Sequence, residues 1–348
     1  MDRESKRRLF AWTALLGFSL TLTLGLTAAV AMFVGSTPPA GEHAVDDYLA
    51  RTGHRCLGHV PELDHAPGAT WTEGWERLTE QDCRPGSWLN QFREEGQNLL
   101  RYRADQPNRV AQDQPILLRP LGRIERPDAA RLVEPVREFV SLYFQLETRL
   151  EEGLSLPAEA LDPKRGDEGQ YDADVVLQAL DGTCPAQAGA CLAVTDRDLY
   201  VPDLQYVFGL GHFRKRVGVF STYRVGKPRR NAVTGEREAV RDPEPLRRAL
   251  KIAVHELGHE LSLAHCVHYR HCVMAGTNSM AESDAGRLTL CPLDHEKLRW
   301  NLEFDPYRRF KDLAKFAHRH GLHPEARYYE RMARSYPGAA NAAGAGGL

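Results

Sequence analysis

Residues 255–265 read HELGHELSLAH, and that stretch decides both the chemistry and the centre of the fold. His255 and His259 are four apart, so on a helix they stand on one face and can share one Zn²⁺ through ring nitrogens. Glu256 lies between them, where it can take a proton from a water on that metal without being a ligand itself. His265, six residues beyond His259, supplies a third ligand if the chain turns sharply after the helix. Three protein ligands leave a fourth position for water, the arrangement of a catalytic rather than a structural zinc. The bland alternative is a surface helix that carries three histidines by coincidence. The base and the third histidine weigh against it.

The flanks support a helix. Asp242 and Pro243 form an N-cap and first-turn pair, with Glu244 near the positive end of the dipole. Leu246, Leu250, Ala253 and Leu257 recur at helical spacing and predict the buried stripe. In the long zinc-peptidase signature the third residue after the second histidine is glycine, which tolerates a left-handed turn. Here it is Ser262. A non-glycine residue held there costs about 1–2 kcal/mol, which a metal site can outweigh.

Cys266 follows His265 directly, Cys272 opens Cys-Val-Met, and Cys291 opens Cys-Pro-Leu-Asp. This pattern resembles the archaemetzincins, and the likeness extends upstream through 193–225, 156–180 and 116–124 (ILLRPLGRI), so that it spans about 115–300. The resemblance implies an α/β (α+β) fold, a metzincin-like mixed sheet packed on the active-site helix. It also implies that Met274 forms a turn beneath the zinc and that the mechanism is metal-assisted peptide hydrolysis. Four cysteines hold a second, structural zinc in that family, and this chain has three of them. Asp294 stands at the fourth position with His295 beside it, and either could complete the set with Cys266, Cys272 and Cys291. A disulfide between two of the three is the competing expectation.

At the amino terminus, 1–8 carries Arg3, Lys6, Arg7 and Arg8, and 9–34 contains no charge. A helix that long rises about 39 Å and can span a bilayer core of about 30 Å with tilt. The basic flank then keeps the N-terminus cytoplasmic and sends the rest across the membrane. The alternative is a cleaved signal peptide ending at Ala29-Val30-Ala31, which would give a secreted protein. Formal net charge −2, with 26% charged and 42% hydrophobic residues, argues against a nucleic-acid partner. Seven cysteines cannot all pair within the chain. Cys184/Cys191 and Cys56/Cys83 are the natural pairs, and the other three are those of the resemblance.

The expected organisation is a cytoplasmic basic segment (1–8), a transmembrane anchor (9–34), an extracytoplasmic region of no recognised family (35–112), and a peptidase domain (113–303). A C-terminal helical pair (304–338) and a low-complexity tail (339–348) follow. An amphipathic helix is expected over 128–150 and a strand over 217–225, the latter as a rim that pairs with extended substrate. Tyr223 and Arg224 lie at its end, and a structural role is expected of each. The expected function is a membrane-anchored zinc metallopeptidase, an endopeptidase or aminopeptidase type, acting on peptide or protein substrates. The alternative from another class is an inactive zinc-binding scaffold or peptide-binding module. A remote variant uses Glu282 as third ligand in place of His265.

Overall fold

The computed structural model describes residues 30–33, 57, 59–62, 72–202, 204–227, 229–230, 237–238 and 240–335. The basic segment, residues 9–29 and 34 of the expected anchor, Cys56 and the C-terminal tail lie outside them. Strands in chain order are β1 (Val30–Phe33), β2 (Ile116–Pro120), β3 (Thr148–Leu150), β4 (Leu161–Asp162), β5 (Gln170–Asp172), β6 (Ala190–Thr195), β7 (Asp198–Tyr200), β8 (Val207–Gly211) and β9 (Val217–Ser221). Helices are α1 (Trp88–Gln91), α2 (Leu99–Ala104), α3 (Pro127–Phe144), α4 (Ala173–Asp181), α5 (Glu244–Glu260), α6 (Met280–Ala285), α7 (Pro292–Leu302), α8 (Pro306–Arg319) and α9 (His323–Ser335).

One mixed sheet runs β3-β2-β6-β9-β8-β7-β5-β4. Strands β3, β2, β6 and β9 are parallel, and β8 returns antiparallel to β9. The central strands β6 and β9 are buried along their whole length because both faces are covered, while the edge strand β3 is exposed past Thr148. Successive residues alternate between two cores: Ile116, Leu118, Leu192 and Val194 face one, Leu117, Cys191 and Ala193 the other. Helix α4 covers the second face, while α3, α5, α8 and α9 share the first.

Three expectations change. The strand over 217–225 stops at Ser221 and lies inside the sheet between β6 and β8, so it is not a rim strand. Residues 30–33 form a strand antiparallel to β8, with Val30 opposite Gly211 and Ala31 opposite Leu210, so they are not the end of a helix over 9–34. A strand edge with unpaired backbone groups is a template for such a segment. Among the described residues no helix is long and apolar enough to cross a membrane. The helix expected over 128–150 ends at Phe144, and Thr148–Leu150 form β3 instead. Phe310, Leu313, Phe316, Tyr329 and Met332 of the C-terminal pair enter the same core as α3 and α5.

Candidate active site and metal centre

Helix α5 begins one residue later than the Asp242–Pro243 reading, with Pro243 as its N-cap. It is buried on every side from Arg248 to Glu260, because β8 and β9 of the sheet and helix α3 all pack against it. The stripe of Leu246, Leu250, Ala253 and Leu257 is therefore only part of its buried surface. Three glycines allow the close approach to the sheet. A Cβ on Gly209 would meet Glu256 Oε1 at 2.6 Å, one on Gly211 would meet the Glu256 carbonyl at 2.5 Å, and one on Gly218 would meet Glu260 Oε1 at 2.5 Å. Arg248, fully buried, is held by Asp284 at 2.9 and 2.6 Å and by the Val225 carbonyl at 2.9 Å.

The histidines of α5 are fixed by carbonyls. His255 Nδ1 lies 2.7 Å from the Val273 oxygen and His259 Nδ1 2.8 Å from the Leu263 oxygen. A carbonyl only accepts, so both Nδ1 atoms carry the hydrogen. Both Nε2 atoms then hold lone pairs, and they stand 2.9 Å apart. His265 donates its Nδ1–H to Glu94 Oε1 at 2.6 Å, which leaves its Nε2 bare as well. Burial pushes His255 down to about 3 and His259 well below its usual value, so neither ring is protonated near neutrality. One nitrogen from each of the three rings lies within 4.8 Å of the others. Three converging lone pairs with no hydrogen between them repel unless a cation sits among them. Neutral imidazoles in threes suit zinc.

The turn that returns His265 is strained as its sequence implied. Ser262 is left-handed at φ 65°, with its N–H on the His259 carbonyl at 2.8 Å and its hydroxyl on the Phe213 carbonyl at 2.9 Å. Met274 is completely buried beneath Gly258, where a Cβ would run into its sulfur. Glu256 is fully buried too, and neither of its oxygens finds a well-formed hydrogen bond. Burial holds its carboxyl well above the usual range, against a weak pull from the Gly211 backbone amide.

A second cluster lies behind the turn. Cys266, Cys272, Cys291 and Asp294 each place one donor atom within 4.8 Å of the rest. Cys266 and Cys291 sulfurs are 3.6 Å apart, and Asp294 Oδ2 lies 3.2 Å from Cys272 Sγ and 3.3 Å from Cys291 Sγ. All three cysteines are free and buried. Burial pushes the Cys272 and Cys291 thiols up and the Asp294 carboxyl up to about 6. Despite burial, hydrogen bonds with Cys272 and Cys291 hold the Cys266 thiol well below its usual value, so the pocket favours one ligating thiolate and disfavours the other donors, which a divalent cation would favour.

Comparison with known proteins bears on this arrangement. Residues 181–299, which contain both clusters, match the model of peptidase family M54. The chain is 33% identical over 183 residues to the archaemetzincin of Methanopyrus kandleri, covering 52% of this chain and 93% of that protein. It is also 33% identical to the archaemetzincin of Pyrococcus abyssi, with 54% and 95% covered. This chain belongs to the archaemetzincin family. It is a zinc metallopeptidase by that membership. The crystal structure of the Methanopyrus kandleri archaemetzincin aligns at 30% identity and TM-score 0.45, over 56% of this chain and 97% of that one.

Within this archaemetzincin the other candidate residues fall elsewhere. His295 turns from the cysteines and stacks on Phe310 with ring centroids 5.4 Å apart, so the fourth donor of the cluster is Asp294. Glu282 accepts from the Trp88 and Asn278 amides and is not among the histidines. Arg224 pairs with Asp198 at 2.6 Å and covers the Tyr206 ring, while Tyr223 receives Lys227 and Arg126. Glu94 and Trp88 were not singled out in the sequence. They stand outside the M54 stretch and carry no motif. The Gly209-Leu-Gly211 run was legible, since glycines inside a strand mark close backbone approach. The open surface cavity lined by Glu125, Arg126, Glu168, Arg197, Tyr223 and Lys227 includes none of the metal-site residues.

Proposed function

We propose that the chain hydrolyses peptide bonds with His255, His259 and His265 holding a catalytic zinc and Glu256 as general base. The carrying observation is the convergence of three imidazole nitrogens, with the Glu256 carboxyl buried on the same helix. When bound, zinc lowers the pKa of a water and polarises the scissile carbonyl. Glu256 would take up the proton of that water and return it to the leaving amine. The β8 edge that an extended peptide could use is taken by Val30–Phe33, so a substrate strand would have to displace that segment.

Cys266, Cys272, Cys291 and Asp294 would hold a second, structural zinc. Export of the peptidase domain is supported by the basic flank of 1–8, the uncharged run after it, and the Cys184–Cys191 disulfide. With Val30–Phe33 committed to the sheet, an anchor would be confined to 9–29, a helix of about 31 Å that still matches the hydrocarbon core.

The test is cleavage of a broad peptide library by the zinc-loaded full chain. Hydrolysis should be chelator-sensitive, and Glu256→Gln should keep the metal while losing about 10²–10⁴-fold in rate. A second reading, a zinc-binding scaffold, is favoured by one observation: Glu256, His255 and His259 are fully buried and His265 is only 4% exposed. Absence of any chelator-sensitive cleavage by the wild type would select it.

A further inference from the structure

The third histidine differs from the other two in what holds it. His255 and His259 lean on backbone carbonyls of their own domain, whereas His265 leans on a side chain 171 residues away. Glu94 Oε1 sits 2.6 Å from His265 Nδ1, with the histidine side chain 2% and the glutamate 21% exposed. Trp88 sets its ring edge-on to the same imidazole, centroids 4.9 Å apart at 87°, and Phe92 packs on the tryptophan. Beside this contact, Gln97 donates to the Ser262 carbonyl and accepts from the Ala264 amide, both at 3.2 Å. Tyr102 donates to the Leu261 carbonyl at 2.7 Å. The stretch from Trp88 to Tyr102 therefore clamps the turn that presents His265.

We propose that Glu94 is a positioning residue of the catalytic metal centre, so that the chain outside the family's matched stretch completes the site. The inference rests on the histidine metal site proposed above. A carboxylate on Nδ1 fixes the tautomer that turns Nε2 to the metal, sets the ring plane, and makes the imidazole a stronger donor than a carbonyl partner does. It also places a negative charge next to a site whose three ligands are neutral. Among the described residues the second Glu94 oxygen is buried without a hydrogen bond, so none of them competes for that carboxylate.

The experiment uses the full chain and reads metal binding directly. Zinc affinity is measured by chelator competition for wild type, Glu94→Ala, Glu94→Gln and Gln97→Ala, and again with His265→Ala combined with Glu94→Ala. Cobalt loading reports the sites separately, because thiolate-to-cobalt bands arise only at the cysteine cluster. Glu94→Ala should bind zinc at the histidines about 10–100-fold more weakly. Glu94→Gln, which keeps an acceptor but not the charge, should fall between, with the cysteine bands unchanged. It also serves if the alanine variant does not fold. In the His265→Ala background the loss of Glu94 should have no further effect. Equal zinc affinity in all Glu94 variants would overturn the assignment, as would equal weakening by Gln97→Ala, which would make the clamp merely structural. A wild type with no metal at the histidines would overturn the reading beneath it instead.

Discussion

His265 and Cys266 are neighbours in sequence and serve opposite clusters. One cluster presents three buried imidazole nitrogens. The other presents three sulfurs and a carboxylate, all buried and closed on one another. On the function proposed above, the difference would separate a metal that does chemistry from one that holds structure. Neutral ligands leave the ion's charge available to a substrate, while four anionic ligands quench it. The turn at 261–274 is the wall between them, so either metal would order the same segment from its own side.

The largest effect expected is an asymmetry between the clusters. Cys272→Ala should lower the unfolding free energy by on the order of 5 kcal/mol, since a structural zinc contributes its binding energy to folding. His259→Ala should abolish peptide hydrolysis and zinc at the histidines while moving stability far less. Metal counts, melting curves and cleavage rates on the two variants decide it. Equal loss of stability would break the distinction.

A smaller effect tests whether Asp294 ligates. Lys297 Nζ lies 2.7 Å from Asp294 Oδ1, and both side chains are almost fully buried. Removing one member of a buried pair costs about 3–5 kcal/mol when nothing else compensates the other. Lys297→Met should approach that cost in the metal-stripped chain and show less than half of it once zinc is restored. The same cost in both forms would leave Asp294 outside the metal's reach.

Lys251, one turn before His255, supplies a pH test. Burial pushes its ammonium down to about 7, against roughly 10.4 for an unfolded lysine. Between those values the unfolded chain binds the additional proton, so this site's contribution to stability rises with pH. Below pH 7 both states are protonated and the burial penalty is present in full. The stability of wild type relative to Lys251→Met should therefore improve by on the order of 2 kcal/mol from pH 7 to pH 9. An unchanged difference would mean that the amine reaches water.

Much of this was readable from local pattern. The helix carrying His255 and His259, the amphipathic α3 and the helical pair at the C-terminus announce themselves by period, although α3 ends earlier than expected and the cap expected at Asp242 does not form. What was not readable depends on contacts between distant segments. Nothing around Glu94 indicates that it meets His265, because the pairing comes from how 88–102 folds over the turn. The choice between Asp294 and His295 turned on which side of α7 faces the sulfurs, a matter of helix phase fixed by packing on Phe310. Residues 30–33 read as part of a membrane run because an apolar tetrapeptide does not reveal whether lipid or a strand edge will cover it.

The smallest expected effect concerns the turn shared by both clusters. Ser262 is left-handed, which costs a non-glycine residue about 1–2 kcal/mol, and glycine would remove that cost. Its hydroxyl works in the other direction, donating to the Phe213 carbonyl at 2.9 Å and accepting from the Asn108 amide at 3.1 Å. Those bonds together contribute about 1–2 kcal/mol. Ser262→Gly should thus leave stability within about 1 kcal/mol of wild type, because the two terms offset. Ser262→Ala keeps the strain and loses the bonds, so it should be less stable than Ser262→Gly by about 1 kcal/mol. Denaturant midpoints of the two variants give the comparison. If alanine proved the more stable, the turn would not be left-handed in solution, and the route by which His265 comes back to the histidines of α5 would have to be redrawn.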